Sequence, residues 1–469
     1  MGIDTHISEW IDAHADELVR DIGRLVAVPS VRGEPEPDAP FGHGPRRALD
    51  EMVSLCAGYG FATETYHGAM GSADYNGAPA ALDILGHLDI VAPGEGWDTD
   101  PYTVTLGGDG CLYGRGTDDD KGPLVMALYA FRCLKELGVE LRRGCRLLFG
   151  TDEESGSGDL HYYYDDHAPA PNTFTPDSGF PVYNVEKGMY RPVITRSWPA
   201  GNEPVRLVSA HGGFRINVVP AEAEAVVAGL DAPAALKFGG AAADRCGVEF
   251  AAEDMPGGCR LLVHGTQAHA AHPDDGCNAV TALLEILSAL PLDGAAAESV
   301  RALSRCLPHG DWRGEKSGIA QSDELSGDLT ISPNLFELTE TGLKLECDAR
   351  VSLCANDANC RVPFERTLGE ARFEVTGEME PGHHTPAGGG FVRALLECYQ
   401  RYTGEEGGCV STGGGTYVHD IPGGVAFGAS MPGFDTRLHG ANERIRVKDA
   451  LTASKIFALA IVKICNEEE

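Results

Sequence analysis

The residues of this chain best equipped for chemistry are carboxylates and histidines set in polar motifs where apolar runs end. The foremost stretch is Phe149-Gly150-Thr151-Asp152-Glu153-Glu154-Ser155-Gly156-Ser157-Gly158. A mostly apolar run, Cys145 to Phe149, stops just before two adjacent glutamates. Carboxylates at the end of a buried strand are costly unless something positive meets them. A metal ion is the usual partner. One glutamate then binds the ion while its neighbour handles protons. Taken alone, the pair is equally compatible with a helix N-terminus.

Four further motifs offer ligands. His87 and Asp89, in Gly86-His87-Leu88-Asp89, lie two apart, and in an extended segment they point the same way. A metal-binding histidine commonly has a carboxylate on its other ring nitrogen. An isolated His-x-Asp is more often an exposed surface pair, but this one directly follows an apolar strand. Asp118, Asp119 and Asp120 are consecutive, before Lys121. They suit a solvated loop, a helix N-terminus, or a site where one carboxylate bridges two cations. Asp177 follows Pro176 at the end of a short strand and by itself is an ordinary turn aspartate. His439 sits in a polar loop, Arg437-Leu438-His439-Gly440-Ala441-Asn442-Glu443. One ligand from each motif makes two histidines and three carboxylates. That set suits two Zn²⁺ ions sharing a bridging carboxylate, with room for a water.

The elements that must position these groups alternate between strand and helix. An N-terminal helix carries Ile7, Trp10, Ile11, Leu18, Ile22 and Leu25 largely on one face and closes at Pro29. A second helix follows, with Leu49, Met52, Val53 and Cys56 as its stripe. Strands are expected at Ala80–Leu85, Tyr102–Leu106, Arg146–Phe149 and Thr173–Thr175, and a helix over Pro123–Leu137. This is the pattern of an α/β sheet with helices on its faces, and the polar motifs fall at strand ends, where such sheets place their sites. From about Lys187 strand-like stretches dominate, interrupted by two helical segments near Ala232–Phe238 and Cys277–Leu290. The sheet pattern then resumes, with helices over Gly389–Tyr402 and Val447–Cys465. The expected architecture is a mixed-sheet α/β catalytic domain flanked by helices (residues 1–186 and 384–469) with an inserted α+β lid domain (187–383).

Composition narrows the function classes. With 469 residues, two or three domains are expected. A net charge of −33 argues against nucleic-acid binding, which needs a positive footprint. It is read as a solvated acidic surface rather than as a sign of a cationic substrate. No run of 18 apolar residues exists, so no membrane span is expected, and Met1 to Arg20 lacks the pattern of a secretory signal. Fourteen cysteines are sparse for a disulfide scaffold and none forms Cys-x-x-Cys. Buried free thiols in a reducing cytoplasm fit best.

The order and content of the motifs resemble those of the zinc metallopeptidases that include aminoacylase, glutamate carboxypeptidase, carnosinase and succinyl-diaminopimelate desuccinylase. Within them the chain is most similar to the bacterial peptidase-V-type dipeptidases. The resemblance spans nearly the whole chain. It is carried by Gly86-His87-Leu88-Asp89, Gly114 to Pro123, Thr151 to Gly156, Pro176-Asp177-Ser178-Gly179-Phe180-Pro181, Gly265 to Ala279, and His439-Gly440-Ala441-Asn442-Glu443. It implies that His87 and Asp177 bind one zinc, that Glu154 and His439 bind a second, and that Asp119 bridges them. Asp119 is chosen because the family's bridging residue is the first aspartate of Asp-Asp-Lys. Asp89 is implied as the outer partner of His87, and Glu153 as the general base. In the lid, His269 of Gln267-Ala268-His269 is implied as oxyanion stabiliser, with His272 a neighbour the motif does not favour. Asn217 and Arg350 are implied to grip the substrate carboxylate, and Gly415 to approach the substrate through its main chain. Two positions depart from the family pattern, Ala270 where serine is commoner and Ser178 where alanine is usual. Neither removes a ligand.

The implied activity is a di-zinc dipeptidase acting on small peptides, with Mn²⁺ or Co²⁺ able to replace zinc. A monomer is favoured over a homodimer. On the same scaffold the alternatives are an N-acyl-amino-acid hydrolase, a carboxypeptidase or a desuccinylase. The alternative of another class is a non-catalytic metal- or peptide-binding homologue, which a broken site would mark; every ligand position and Glu153 are present.

Overall fold

The computed structural model describes residues 2–466, and these divide into two compact units. One runs up to Val185 and resumes over His384–Ser411 and from Gly415 onward; the other is Glu186–His383 with Thr412–Gly414.

The first unit is built on a nine-stranded mixed sheet. Its centre is parallel: Gly144–Gly150 pairs with Ala80–His87, which pairs with Asn172–Thr175, which pairs with Val425–Ala426. Antiparallel strands Ala62–Tyr66 and Met70–Asp74 extend one side. The central strands are buried on both faces, which is why they read as continuous apolar runs. Leu82, Ile84, Leu147 and Phe149 point into the larger core, beneath the helices Lys121–Glu136, Gly390–Thr403 and Val447–Asn466. Leu85 and Leu148 point to the other face, where Leu160, Tyr163, Tyr417 and Ile421 cover them. Among the described residues no helix is long and apolar enough to cross a membrane.

Several boundaries differ from the sequence reading, each for a local reason. The expected first helix is two, Ile3–Ala13 and Ala15–Val26. At the break the His14 ring stacks on Trp10 at 3.7 Å and its Nδ1 takes the Trp10 carbonyl at 2.7 Å. That carbonyl is the acceptor a continuous helix would have given to the His14 amide. The helix expected from Pro123 starts two residues earlier, at Lys121, because proline is tolerated in a first turn. Of the strand expected over Tyr102–Leu106 only Thr105–Leu106 pairs.

The second unit holds a ten-stranded sheet. Its strands pair antiparallel throughout, in the order Glu249–Met255, Gly258–His264, Glu222–Ala228, Arg206–Gly212, Thr330–Thr339 and Gly342–Val351. Val193–Ser197 and Gly188–Tyr190 both pair with Gly342–Val351. Four helices accompany it, not two. Gly294–Cys306 was hidden because its buried stripe is short-chained (Ala296, Ala297, Val300, Leu303), and Arg361–Glu370 because it buries only Phe364 and Leu368. The helix expected over Ala232–Phe238 runs on to Cys246. Gly239 does not stop it but lets it pack closely: a Cβ there would lie 2.9 Å from both Ile286 Cγ2 and Phe250 Cε1. Termination comes at Gly247, whose φ of 69° suits glycine.

Candidate active site

The parallel register of the first unit delivers the predicted ligands to one edge. His87 ends its strand directly beside Gly150. After Gly150 the chain turns into a short 3₁₀ segment, Glu153–Ser155, carrying both glutamates. Asp177 follows the neighbouring strand, with its amide on Thr175 Oγ1 at 3.3 Å. Asp119 comes from the loop before the helix Lys121–Glu136, and His439 from the 437–443 loop.

These side chains meet as two triplets with a common member, His87–Asp119–Asp177 and Asp119–Glu154–His439. His87 Nε2 lies 2.8 Å from Asp119 Oδ1 and 3.5 Å from Asp177 Oδ2. His439 Nε2 lies 2.8 Å from Asp119 Oδ2 and 3.3 Å from Glu154 Oε2. Asp119 therefore presents one oxygen to each triplet. His87 is fully buried, and its Nε2 lacks a well-directed hydrogen-bond partner. The donor atoms, two imidazole nitrogens and three carboxylates, converge in the way that divalent cations require.

The electrostatics point the same way. Burial raises the proton affinity of Glu153, and the charges of Asp177, Glu154 and Asp119 add to it against His87. Burial likewise raises Glu154 and Asp177, with the Asp119 charge adding in each case. Burial also acts on Asp119, but hydrogen bonds from His439 and His87 outweigh it and hold that carboxyl below the usual range. His439 is pushed up to about 11: burial opposes its charging, and Asp119 and Glu154 override it. The cluster thus carries more negative charge than its two histidines balance, and added cations relieve it.

Asp89 has a broader part than the sequence suggested. His87 Nδ1 meets its main-chain oxygen at 3.0 Å, with its carboxylate Oδ1 at 3.4 Å. That carboxylate accepts the amides of Glu153 on Oδ1 and of Glu154 on Oδ2, both at 3.1 Å. Asp159, which no motif singled out, does the same one turn earlier. Its Oδ2 accepts the amides of Thr151 at 2.5 Å and Asp152 at 2.9 Å, together with the Tyr417 hydroxyl. Arg115 and Glu443 were visible within motifs but without a role; they form a buried pair at 2.5 Å across 328 residues of sequence. Such separations leave no local trace in the sequence.

Three other predicted residues, His269, Asn217 and Arg350, lie in the second unit. His269 is exposed, on a two-residue strand paired with Val218–Val219. Its Nδ1 accepts the Ala271 amide at 3.2 Å, so in the neutral ring the proton sits on Nε2. Asn217 neighbours it through the Ala270 amide, which donates to the Asn217 carbonyl at 2.9 Å. Arg350 is buried and forked onto Asp348, at 2.6 Å and 3.1 Å, and onto the Gly413 carbonyl at 2.6 Å. Gly415 is exposed where the chain re-enters the first unit.

The family model for peptidase family M20/M25/M40 matches residues 84–463, the span that contains every one of these groups. The chain belongs to that family. It is a hydrolase of the metallopeptidase class. This M20 peptidase is 32% identical over 461 residues to a putative dipeptidase of Bacillus subtilis, YtjP, covering 96% of this chain and 98% of that one. It is 30% identical to a beta-Ala-Xaa dipeptidase of Lactobacillus delbrueckii subsp. lactis, over the full length of both. Among solved structures its fold is similar to that of human carnosine dipeptidase 1, with a TM-score of 0.61 at 15% identity, covering 99% of each chain.

Proposed function

We propose that this peptidase is a dipeptidase holding two divalent cations, zinc foremost, with manganese or cobalt accepted by the same donors. The observation that carries the reading is the shared carboxylate: Asp119 offers Oδ1 to the His87–Asp177 side and Oδ2 to the His439–Glu154 side. The cations, when bound, polarise the scissile carbonyl and acidify a water. Glu153 takes the proton of the attacking water as the oxygen–carbon bond forms. It then delivers that proton to the leaving amine nitrogen as the carbon–nitrogen bond breaks. Its partly buried place beside the donor cluster suits a group that takes up and returns a proton, and Asp89 fixes its main chain.

The substrate-facing roles go to His269, Asn217, Arg350 and Gly415, as the motif resemblance implies. His269, carrying its ring proton on Nε2, is the tautomer an oxyanion donor needs. Asn217 and Arg350 hold the substrate carboxylate, and the Gly415 main chain approaches the substrate. The dipeptidase names of the relatives from Bacillus and Lactobacillus support the choice of short peptides over N-acyl amino acids. The fourteen cysteines, all free, suit a reducing cytoplasm, and the working unit is a monomer.

Metal analysis alongside a panel of free dipeptides, N-acetyl amino acids and tripeptides tests this. Two metal equivalents and preferential dipeptide hydrolysis are expected. Hydrolysis confined to acylated substrates would refute the substrate class. Glu153→Ala should abolish turnover with both metals retained; unchanged turnover would remove Glu153 as the base.

A further inference from the structure

His87 and Asp177 are placed by the sheet, one ending a strand and the other just past its neighbour. Asp119 and His439 belong instead to two loops more than 300 residues apart, and something must set one loop against the other. Pairing of Cys111–Tyr113 with Arg444–Arg446, extended by the Gly114 amide on the Glu443 carbonyl at 3.0 Å, brings the loops together at their bases, and a buried side-chain pair joins them closer to Asp119 and His439. Glu443 is fully buried and Arg115 is 1% exposed. Glu443 Oε1 accepts three amides, from Gly116 at 3.0 Å, Asp118 at 2.9 Å and Asp119 at 3.2 Å. Its Oε2 accepts Arg115 Nη1 at 2.5 Å. Arg115 Nη2 donates to the carbonyls of His439 and Gly440, both at 3.1 Å. An unbroken chain of bonds thus runs from the amide of Asp119, through Glu443 and Arg115, to the carbonyl of His439. The 437–443 loop is also tied to a third loop, where Asp98 and Asn442 exchange bonds at 2.9 Å and 3.0 Å. Burying an ion pair adds little to stability when an apolar packing could replace it, so a geometric role explains it better than a stabilising one.

We infer that Arg115 and Glu443 are positioning residues that set the Asp119–Glu154–His439 cation position and govern its affinity selectively over the His87–Asp119–Asp177 position. The inference rests on the two-cation reading of the site. Its selectivity follows from the scaffold. Without the pair, the strand pairing still holds the bases of the loops, but two of the second position's three donors lose the tie nearest to them. The first keeps two donors that the sheet fixes. Glu443→Gln is nearly isosteric, yet its amide must set NH₂ against either the three amides or Arg115. Donor then faces donor, and one arm of the tie opens. Arg115→Lys keeps the charge but loses the fork that spans the two carbonyls.

Full-length protein equilibrated with buffered free Zn²⁺ over a range of concentrations, then assayed for bound metal, tests this. Wild type should hold two equivalents; fewer than two would refute the two-cation reading itself. With two in wild type, both variants should release the second equivalent at roughly 10–100-fold higher free Zn²⁺, the usual effect of an outer partner. The first should move by less than about threefold on that scale. Excess Zn²⁺ should restore kcat with KM unchanged. Parallel loss of both equivalents overturns the inference, as does no shift in either. Loss of fold in both variants by circular dichroism also overturns it, because the pair would then be structural.

Discussion

Asp89→Asn is the substitution that asks most of the site's internal logic. The carboxylate is 1% exposed and accepts two amides, Glu153 on Oδ1 and Glu154 on Oδ2, each at 3.1 Å. Asparagine keeps the shape but offers one acceptor oxygen. Whichever way the amide lies, its NH₂ faces one of those two N–H groups. A hydrogen bond to a charged group contributes about 1.5–3 kcal/mol. Losing one, at about 2 kcal/mol, corresponds to roughly 30-fold in rate if the loss falls on the transition state. The glutamates are adjacent, so freeing one peptide unit displaces both the proposed proton carrier, Glu153, and the proposed cation donor, Glu154. The expected result is a fall in kcat of roughly 10–100-fold on a dipeptide, with weakened metal retention and KM little changed. Steady-state kinetics at saturating Zn²⁺ together with metal analysis read it. Asp89→Ala removes both acceptors and should fall further, by roughly 1,000-fold on the same accounting. If Asp89→Asn retains kcat within about threefold of wild type, the carboxylate does not position the glutamate pair and the reasoning fails.

Three other outcomes follow from the geometry. Arg350→Lys should raise KM for dipeptides and lower stability by about 2 kcal/mol, because the lysine keeps the charge but loses part of the buried fork onto Asp348 and Gly413; denaturant unfolding that matches wild type would count against this. Removing metal with a chelator should abolish turnover and lower Tm, since Glu153, Glu154, Asp119 and Asp177 lose their counter-charge, and Zn²⁺ should reverse both effects in calorimetry and assay. Asp159 is pushed up to about 7, first by burial and then by the Asp89 charge. A carboxyl whose folded pKa is raised contributes stability below the unfolded value, and that contribution is lost as pH rises through the folded value. Asp159→Asn lacks this titration, so its Tm should gain on wild type between pH 4 and about 7; a constant Tm difference across that range would rule the linkage out.

The sheet strands were legible because those buried on both faces are mostly apolar, the paired Asp83 and Arg146 excepted, and the run Cys145–Phe149 announces itself. The alanine-striped helix Gly294–Cys306 was not, because small side chains give a weak periodic signal even when the face they form is wholly buried. The helix expected over Ala232–Phe238 runs eight residues further, through Gly239, whose lack of a side chain brings it close to Phe250.

At the site, the division is between residue type and spatial relation. Sequence alone named the candidate donors: two histidines and several carboxylates, each following an apolar run or lying in a polar loop, with Glu153 and Glu154 side by side. Chemistry restricts which side chains can do this work, so their types and the order of their motifs survive in the linear chain. Only the tertiary structure decided the partnerships. It turned Asp119 so that each oxygen meets a different histidine, gave the Asp89 carboxylate to the amides of both glutamates, and joined Arg115 to Glu443 across 328 residues. Hydrogen bonds and ion pairs act over about 3 Å, and which groups come that close is set by strand register and loop paths that no local stretch encodes.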